Sequence, residues 1–165
     1  MSNDLHFAIL TPVPLRRLQS GLAVCSKEGS VAFSTRKWKF FRDLHERRDG
    51  QPVAALIYSS HDEDLPARDT FIASWFGWYV RSVDSRGGAH PDGMRFFRTP
   101  ADPNHPPGNK GPWINYWHVK DLRELSKEKR LAIGKIQGFE DGWRKNVPPR
   151  GPELVTLSEL LSYEL

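Results

Sequence analysis

The sequence predicts an α+β fold: a small mixed, largely antiparallel β-barrel with flanking short helices. Three observations point there. Apolar runs recur that are rich in β-branched and aromatic residues, at 53–59, 70–83 and 113–119. Strand-like and helix-like segments do not alternate at the spacing of a parallel sheet. The few helices cannot cover every sheet edge, so closure of the sheet is expected to remove them. The 165 residues are enough for one core and too few for two, and no repeat or linker divides them, so a single domain over 1–165 is expected.

Each element has a local reason. Residues 6–10 read as a strand that Pro12 and Pro14 end. Pro14 then opens a short helix through Leu15 and Leu18, with Gly21 past its end. Residues 27–31 read as a turn. Residues 35–48 carry the clearest helix, capped by Ser34 or Thr35 and stopped by Asp49-Gly50. Trp38, Phe41 and His45 fall on its apolar stripe, beside Phe40 and Leu44. Residues 53–59 are continuously apolar, as in a strand buried on both faces. Residues 60–69 form a polar loop. Residues 70–83 follow as a long strand, where Gly77 suggests a bulge. Residues 84–112 are rich in Gly and Pro and read as a mobile loop, with room for an element only near Met94 to Phe97. Residues 113–119 give a strand, Ser126 caps a short helix through Arg130, and residues 138–151 are irregular. Glu153 to Leu157 close the sheet, and Ser158 to Leu165 read as a helical turn.

Composition bounds the function. The chain is 38% hydrophobic and 27% charged, which marks it as globular rather than disordered. A net charge of +4 favours anionic partners mildly. The single cysteine, Cys25, rules out an intramolecular disulfide and reads as a small buried hydrophobe. The opening Met1-Ser2-Asn3-Asp4 has neither a basic start nor an apolar run, and no stretch approaches transmembrane length. No membrane association and a cytoplasmic location are therefore expected.

Catalytic signatures are missing. There is no phosphate-binding Gly loop, dinucleotide fingerprint or nucleophile elbow. The histidines at 6, 45, 61, 90, 105 and 118 are scattered. His61-Asp62-Glu63-Asp64 reads as a solvated acidic turn rather than a metal site. His90-Pro91-Asp92-Gly93 reads as a turn before it reads as a metal or water-activating site. No catalytic residue, metal or cofactor is assigned.

What remains is an interleaving of cations with aromatics. Arg36, Lys37, Trp38, Lys39, Phe40, Phe41 and Arg42 run together, and Phe71, Trp75, Phe76, Trp78, Tyr79 and Arg81 follow. Flat rings stack on bases and cations hold phosphates. Six cations against Asp43 and Glu46 make the predicted helix one-sided. Tyr58-Ser59-Ser60 ends a buried strand at a polar loop, where hydroxyls can read a base edge. Trp75 and Trp78, three apart, point to opposite faces of a regular strand.

This order of elements resembles the PUA-like superfamily, and most nearly its EVE and YTH branches, with ASCH domains as cousins. His6-Phe7-Ala8-Ile9-Leu10-Thr11-Pro12 is similar to the opening strand of an EVE domain. Gly29 to Arg36 resembles the Gly-Val-Arg-Asn segment before its basic helix. Leu56 to Ser60 resembles its Phe-Phe-Tyr-His-Ser strand end, Phe71-Ile72-Ala73 its Ile-Val-Gly entry, and Trp113 to Leu122 its late Trp strand and exit. Three positions depart. Ser34 or Thr35 stands near the family's Asn, Ala73 replaces its Gly, and Phe7 replaces its opening Trp.

The resemblance implies a barrel that takes a flipped, modified base, such as a methylated one, into an aromatic cage on DNA or RNA. The cage would be drawn from Trp38, Tyr58, Trp75, Trp78 and Trp113. Ser34, Thr35, Ser59 and Ser60 would be the polar readers. Arg36, Lys37, Lys39, Arg42 and Arg81 would hold phosphates. Two other classes compete. An ASCH-like nuclease or amidohydrolase would need Lys37, His61, Glu63 or His90 to converge. A protein-interaction adaptor or inhibitor would use exposed aromatics and the long loop on a protein partner.

Overall fold

The computed structural model describes residues 6–60, 72–86, 89–96, 114–139 and 151–156. In chain order these hold β1 (Phe7–Pro14), α1 (Leu15–Glu28), β2 (Val31–Thr35), α2 (Trp38–Arg47), β3 (Val53–Ser60), β4 (Ile72–Ala73), β5 (Trp75–Asp84), β6 (Asn115–Glu124), β7 (Leu131–Ala132) and β8 (Glu153–Thr156). The class is mixed α and β, mostly sheet. One six-stranded sheet runs in the order β2-β6-β5-β3-β1-β8, and β4 pairs with β7 in a second sheet.

Close backbone neighbours group the chain into two units, each discontinuous in sequence. Among the described residues, the first holds 6–15, 53–60, 72–77, 123–139 and 151–156. Its centre is β3, buried from Val53 through Ser59, as its unbroken apolar run requires. β1 lies parallel beside it, with Ile9 opposite Ala55 and Pro14 opposite Ser60. On its other flank β1 pairs antiparallel with β8, but only from Phe7 to Leu10. Pro12 and Pro14 therefore continue β1 rather than end it. No partner is bonded to that stretch on the β8 side among the described residues, and strand prolines are tolerated at such an edge. The break in the second aromatic strand falls at Ser74, not Gly77. The Ser74 N–H donates to the Ile57 carbonyl at 3.1 Å, and its own carbonyl accepts from Leu125 N–H at 2.8 Å.

The second unit holds 16–52, 78–86, 89–96 and 114–122. α1 runs to Glu28, well past the expected stop at Gly21. Leu18, Gly21, Val24 and Cys25 form its buried face. A Cβ on Gly21 would meet Leu122 at 3.3 Å, Val31 at 3.4 Å and Phe33 at 3.5 Å, so Gly21 is there for close packing, not for termination. Gly29 ends the helix at φ +85°, with its N–H donated to the Cys25 carbonyl at 2.9 Å. Residues 31–35, read partly as turn and partly as cap, form β2 against β6, with Val31 opposite Val119 and Thr35 opposite Asn115. α2 starts at Trp38, not Thr35, and buries Phe41 and Leu44. Phe41 stacks on Trp117 at 5.2 Å and 13° and lies 5.8 Å from Tyr79. Phe33 completes this cluster, 5.1 Å from Trp117. Asp49 and Gly50, at φ 48° and 74°, end the helical region as expected.

Of the expected 84–112 loop, the described residues are ordered by specific bonds. Arg86 bridges Ala89, Gly93 N–H closes the 90–93 turn on the His90 carbonyl at 3.1 Å, and Met94–Phe96 forms a 3-10 turn. The helical turn read at 158–165 and the loop at 61–69 lie outside the described residues.

Replacing Gly21 with Val should cost about 1–3 kcal/mol, because two methyls enter a filled space. Replacing Gly29 with Ala should cost about 1 kcal/mol through its left-handed backbone alone. Urea unfolding checks both. Equal stability of Gly21→Val and the wild type would contradict the packing described for α1.

Candidate functional site

The cationic segment spans the end of β2 and the first turns of α2. Arg36 and Lys37 precede the helix, and Thr35 Oγ1 accepts the Lys37 N–H at 3.0 Å, which fixes this corner. Arg36, Lys37, Lys39 and Arg42 are all exposed. Among the described residues none of the four is ion-paired. Trp38 sits among them, half-buried. The Arg42 guanidinium lies 4.5 Å from its ring centroid and Lys39 Nζ 5.5 Å. This i, i+4 stack extends a flat, charged surface from the indole.

Burial separates the expected cage residues. Tyr58, Ser59 and Trp75 are each 2–3% exposed and belong to the core of the first unit. Burial, followed by the Glu153 carboxylate, pushes the Tyr58 phenol up, so it stays protonated. Trp38 and Trp78 are half-buried in the second unit. Trp113 lies outside the described residues, and of Ser60 only the backbone is described. Ser34 and Thr35 are half-buried on β2, opposite Tyr116 and Asn115. Arg81, expected on phosphate, donates to Asp92 Oδ2 at 3.0 Å.

Asn115, passed over in the sequence, is 3% exposed. Its Nδ2 donates to Asp84 Oδ1 at 3.2 Å, while its Oδ1 and the neighbouring Ser85 Oγ are buried without a hydrogen-bond partner among the described residues. Buried polar atoms are rarely left so. Register places this unused amide acceptor beside Thr35, the residue before the cationic run.

A second polar constellation was also missed. His90 Nε2 and His118 Nε2 approach to 2.7 Å, with His90 4% and His118 0% exposed. The Asp92 backbone N–H donates to His90 Nδ1 at 3.0 Å. That nitrogen therefore carries no proton, so His90 holds its proton on Nε2 and donates it to His118. His118 Nε2 then accepts, and His118 holds its own proton on Nδ1, 3.0 Å from Ser30 Oγ. One backbone N–H thus fixes the tautomer of both rings. It also bars a nucleophilic role for Ser30. A general base must offer that hydroxyl a free nitrogen, and His118 offers it an N–H. Of the residues an enzyme reading would bring together, His61 and Glu63 lie outside the described residues, His90 is buried, and Lys37, just before α2, is exposed.

Both imidazoles are held neutral. Burial pushes His118 down to about 3, with Arg81 and His90 adding to the effect and Asp92 opposing it. Burial also lowers His90, Asp92 raises it, and Arg81 and Arg95 lower it. Phe96 packs on both rings, at 5.6 Å from His90 and 5.2 Å from His118, and Tyr116 lies 5.2 Å from His90. Among the described residues no group of three or more His, Cys, Asp or Glu could hold a metal ion, and no helix is long and apolar enough to cross a membrane.

Comparison with protein-family models and with curated proteins gave no match to this chain.

The held-down imidazoles set the direction of a pH effect on stability. Above about pH 6.5 the unfolded chain gains no proton advantage and stability is full. Below it the unfolded chain binds protons that the folded chain refuses. Stability then falls with pH toward 3, by up to about 1.4 kcal/mol per pH unit for His118. Urea midpoints at pH 7.5 and 5.5 measure this. His118→Gln should narrow the gap between them, and an unchanged gap would contradict the assignment to His118.

Proposed function

We propose that this protein binds nucleic acid through the exposed cations at the start of α2, with Trp38 as its stacking platform. The observation that carries the reading is the set Arg36, Lys37, Lys39 and Arg42: exposed, without an ion pair among the described residues, and ranged about a half-buried indole. Unneutralised cations on one short segment bind phosphates by releasing counterions. An indole extended by a guanidinium offers a base a stacking surface that does not depend on sequence.

The finer reading is that the base is a modified one, taken into an aromatic pocket. It draws on Trp38 and Trp78, the two candidate rings that are neither core nor outside the described residues. Ser34 and Thr35, half-buried on β2 just before the cationic run, support hydrogen bonds to the base edge. Extrusion of a base costs a few kcal/mol, which stacking and edge contacts offset. DNA or RNA serves this surface equally.

Reversing Arg36, Lys37, Lys39 and Arg42 to Glu should abolish most oligonucleotide binding and flatten what salt dependence remains. Trp38→Ala should weaken binding roughly ten- to a hundredfold, the equivalent of about 1–3 kcal/mol of stacking. Fluorescence anisotropy with methylated and unmethylated oligonucleotides reads both variants. Equal affinity of the wild type for every oligonucleotide would remove the modified-base reading. Unchanged binding by the charge-reversed variant would remove this surface.

A further inference from the structure

The proposed nucleic-acid surface makes no use of the buried His90–His118 chain. We infer that this chain is a proton-operated latch, holding residues 90–96 against β6 while both rings are neutral and releasing them on proton uptake.

Each of the four ring nitrogens already has a partner. His90 Nδ1 accepts from Asp92 N–H at 3.0 Å, the two Nε2 atoms share one proton at 2.7 Å, and His118 Nδ1 faces Ser30 Oγ at 3.0 Å. An added proton has two places to go. On His118 Nε2 it sets two N–H groups against each other across the shortest bond. On His90 Nδ1 it collides with the Asp92 N–H and opens the 90–92 turn. No third, harmless site exists, so proton uptake and the loss of one of these bonds are the same event.

The surrounding charges set the threshold. Arg81 on β5 and Arg95 in the 3-10 turn oppose a positive imidazole, and Asp92 favours one. Asp92 is engaged by Arg81 at 3.0 Å, and Arg95 Nε lies 3.9 Å from Glu28 Oε2 of α1. Tyr116 from β6 and Ser30 before β2 complete the surroundings. At neutral pH, packing of Phe96 and Tyr116 on the rings keeps the latch shut. Once His90 is charged, Asp92 favours the charge while Arg81 and Arg95 oppose it. The bond to His118 or to the Asp92 N–H is then lost, and Phe96 loses its packing on the rings.

The test is amide hydrogen exchange on the full chain from pH 8 to pH 5, with each rate divided by its intrinsic value, alongside NMR titration of the histidine ring protons. Protection of the Asp92 amide should fall by up to tenfold per pH unit below about 6.5. Ala55 and Ile57, in β3, should stay protected. Asp92→Asn keeps the backbone N–H and removes the favouring charge, so the loss should move to lower pH. Three results would overturn the latch: an Asp92 amide equally protected at pH 8 and 5, simultaneous loss at Asp92, Ala55 and Ile57, or an Asp92→Asn curve shifted upward. The wild-type measurement decides by itself if the variant does not fold.

Discussion

A 2.7 Å hydrogen bond between two neutral, buried imidazoles is the constraint on which the second unit's polar interior depends. Two histidines inside a sheet protein are costly unless every nitrogen is satisfied. Here a single backbone N–H, that of Asp92, decides where all the ring protons sit. The chain then ends on a serine hydroxyl, not on a carboxylate. Among the described residues, His90 stands at the His118 Nε2 where a catalytic relay would place a carboxylate. With a carboxylate there, His118 would carry a proton toward it and present a free nitrogen to Ser30. With His90 there instead, it presents an N–H.

The same unit sorts its aromatics by depth. Phe33, Phe41, Tyr79 and Trp117 pack within about 6 Å of a neighbour in the cluster and belong to the core. Trp38, on the same helix as Phe41, lies at the rim with a guanidinium on it. Three positions along the helix separate a core ring from a half-buried one. The half-buried ring also lies among cations that have no ion pair among the described residues, and that coincidence gives the nucleic-acid reading its weight.

Much of this was legible in the sequence, for identifiable reasons. The run 53–58 is apolar without a break, and β3 is buried from Val53 through Ser59. The stripe of Trp38, Phe41 and His45, with Phe40 and Leu44 beside it, marked α2, although of these only Phe41 and Leu44 are buried and His45 is exposed; Asp49-Gly50 marked its end. Other features had no local signal. Gly21 reads as a helix stop, and only the tertiary neighbours Leu122, Val31 and Phe33 show that it is a contact. β2 is five residues long and carries Ser34 and Thr35, which also read as a cap. Pro12 and Pro14 read as a strand end because sequence cannot show that β8 stops opposing β1 at Leu10. The histidine pair is joined across 28 residues. The 90–93 turn revealed one partner, while the other, His118, is hidden among the apolar neighbours of β6. Asn115 gave no signal at all, since its meaning lies in an unsatisfied oxygen.

The salt dependence of oligonucleotide binding by the wild-type chain decides whether these cations engage phosphates. If four exposed cations engage phosphates, log K plotted against log salt concentration should be linear with a slope of about −3. A slope near zero, or no binding at low salt, would contradict a nucleic-acid surface on α2 and leave its cations as a solvated helix face.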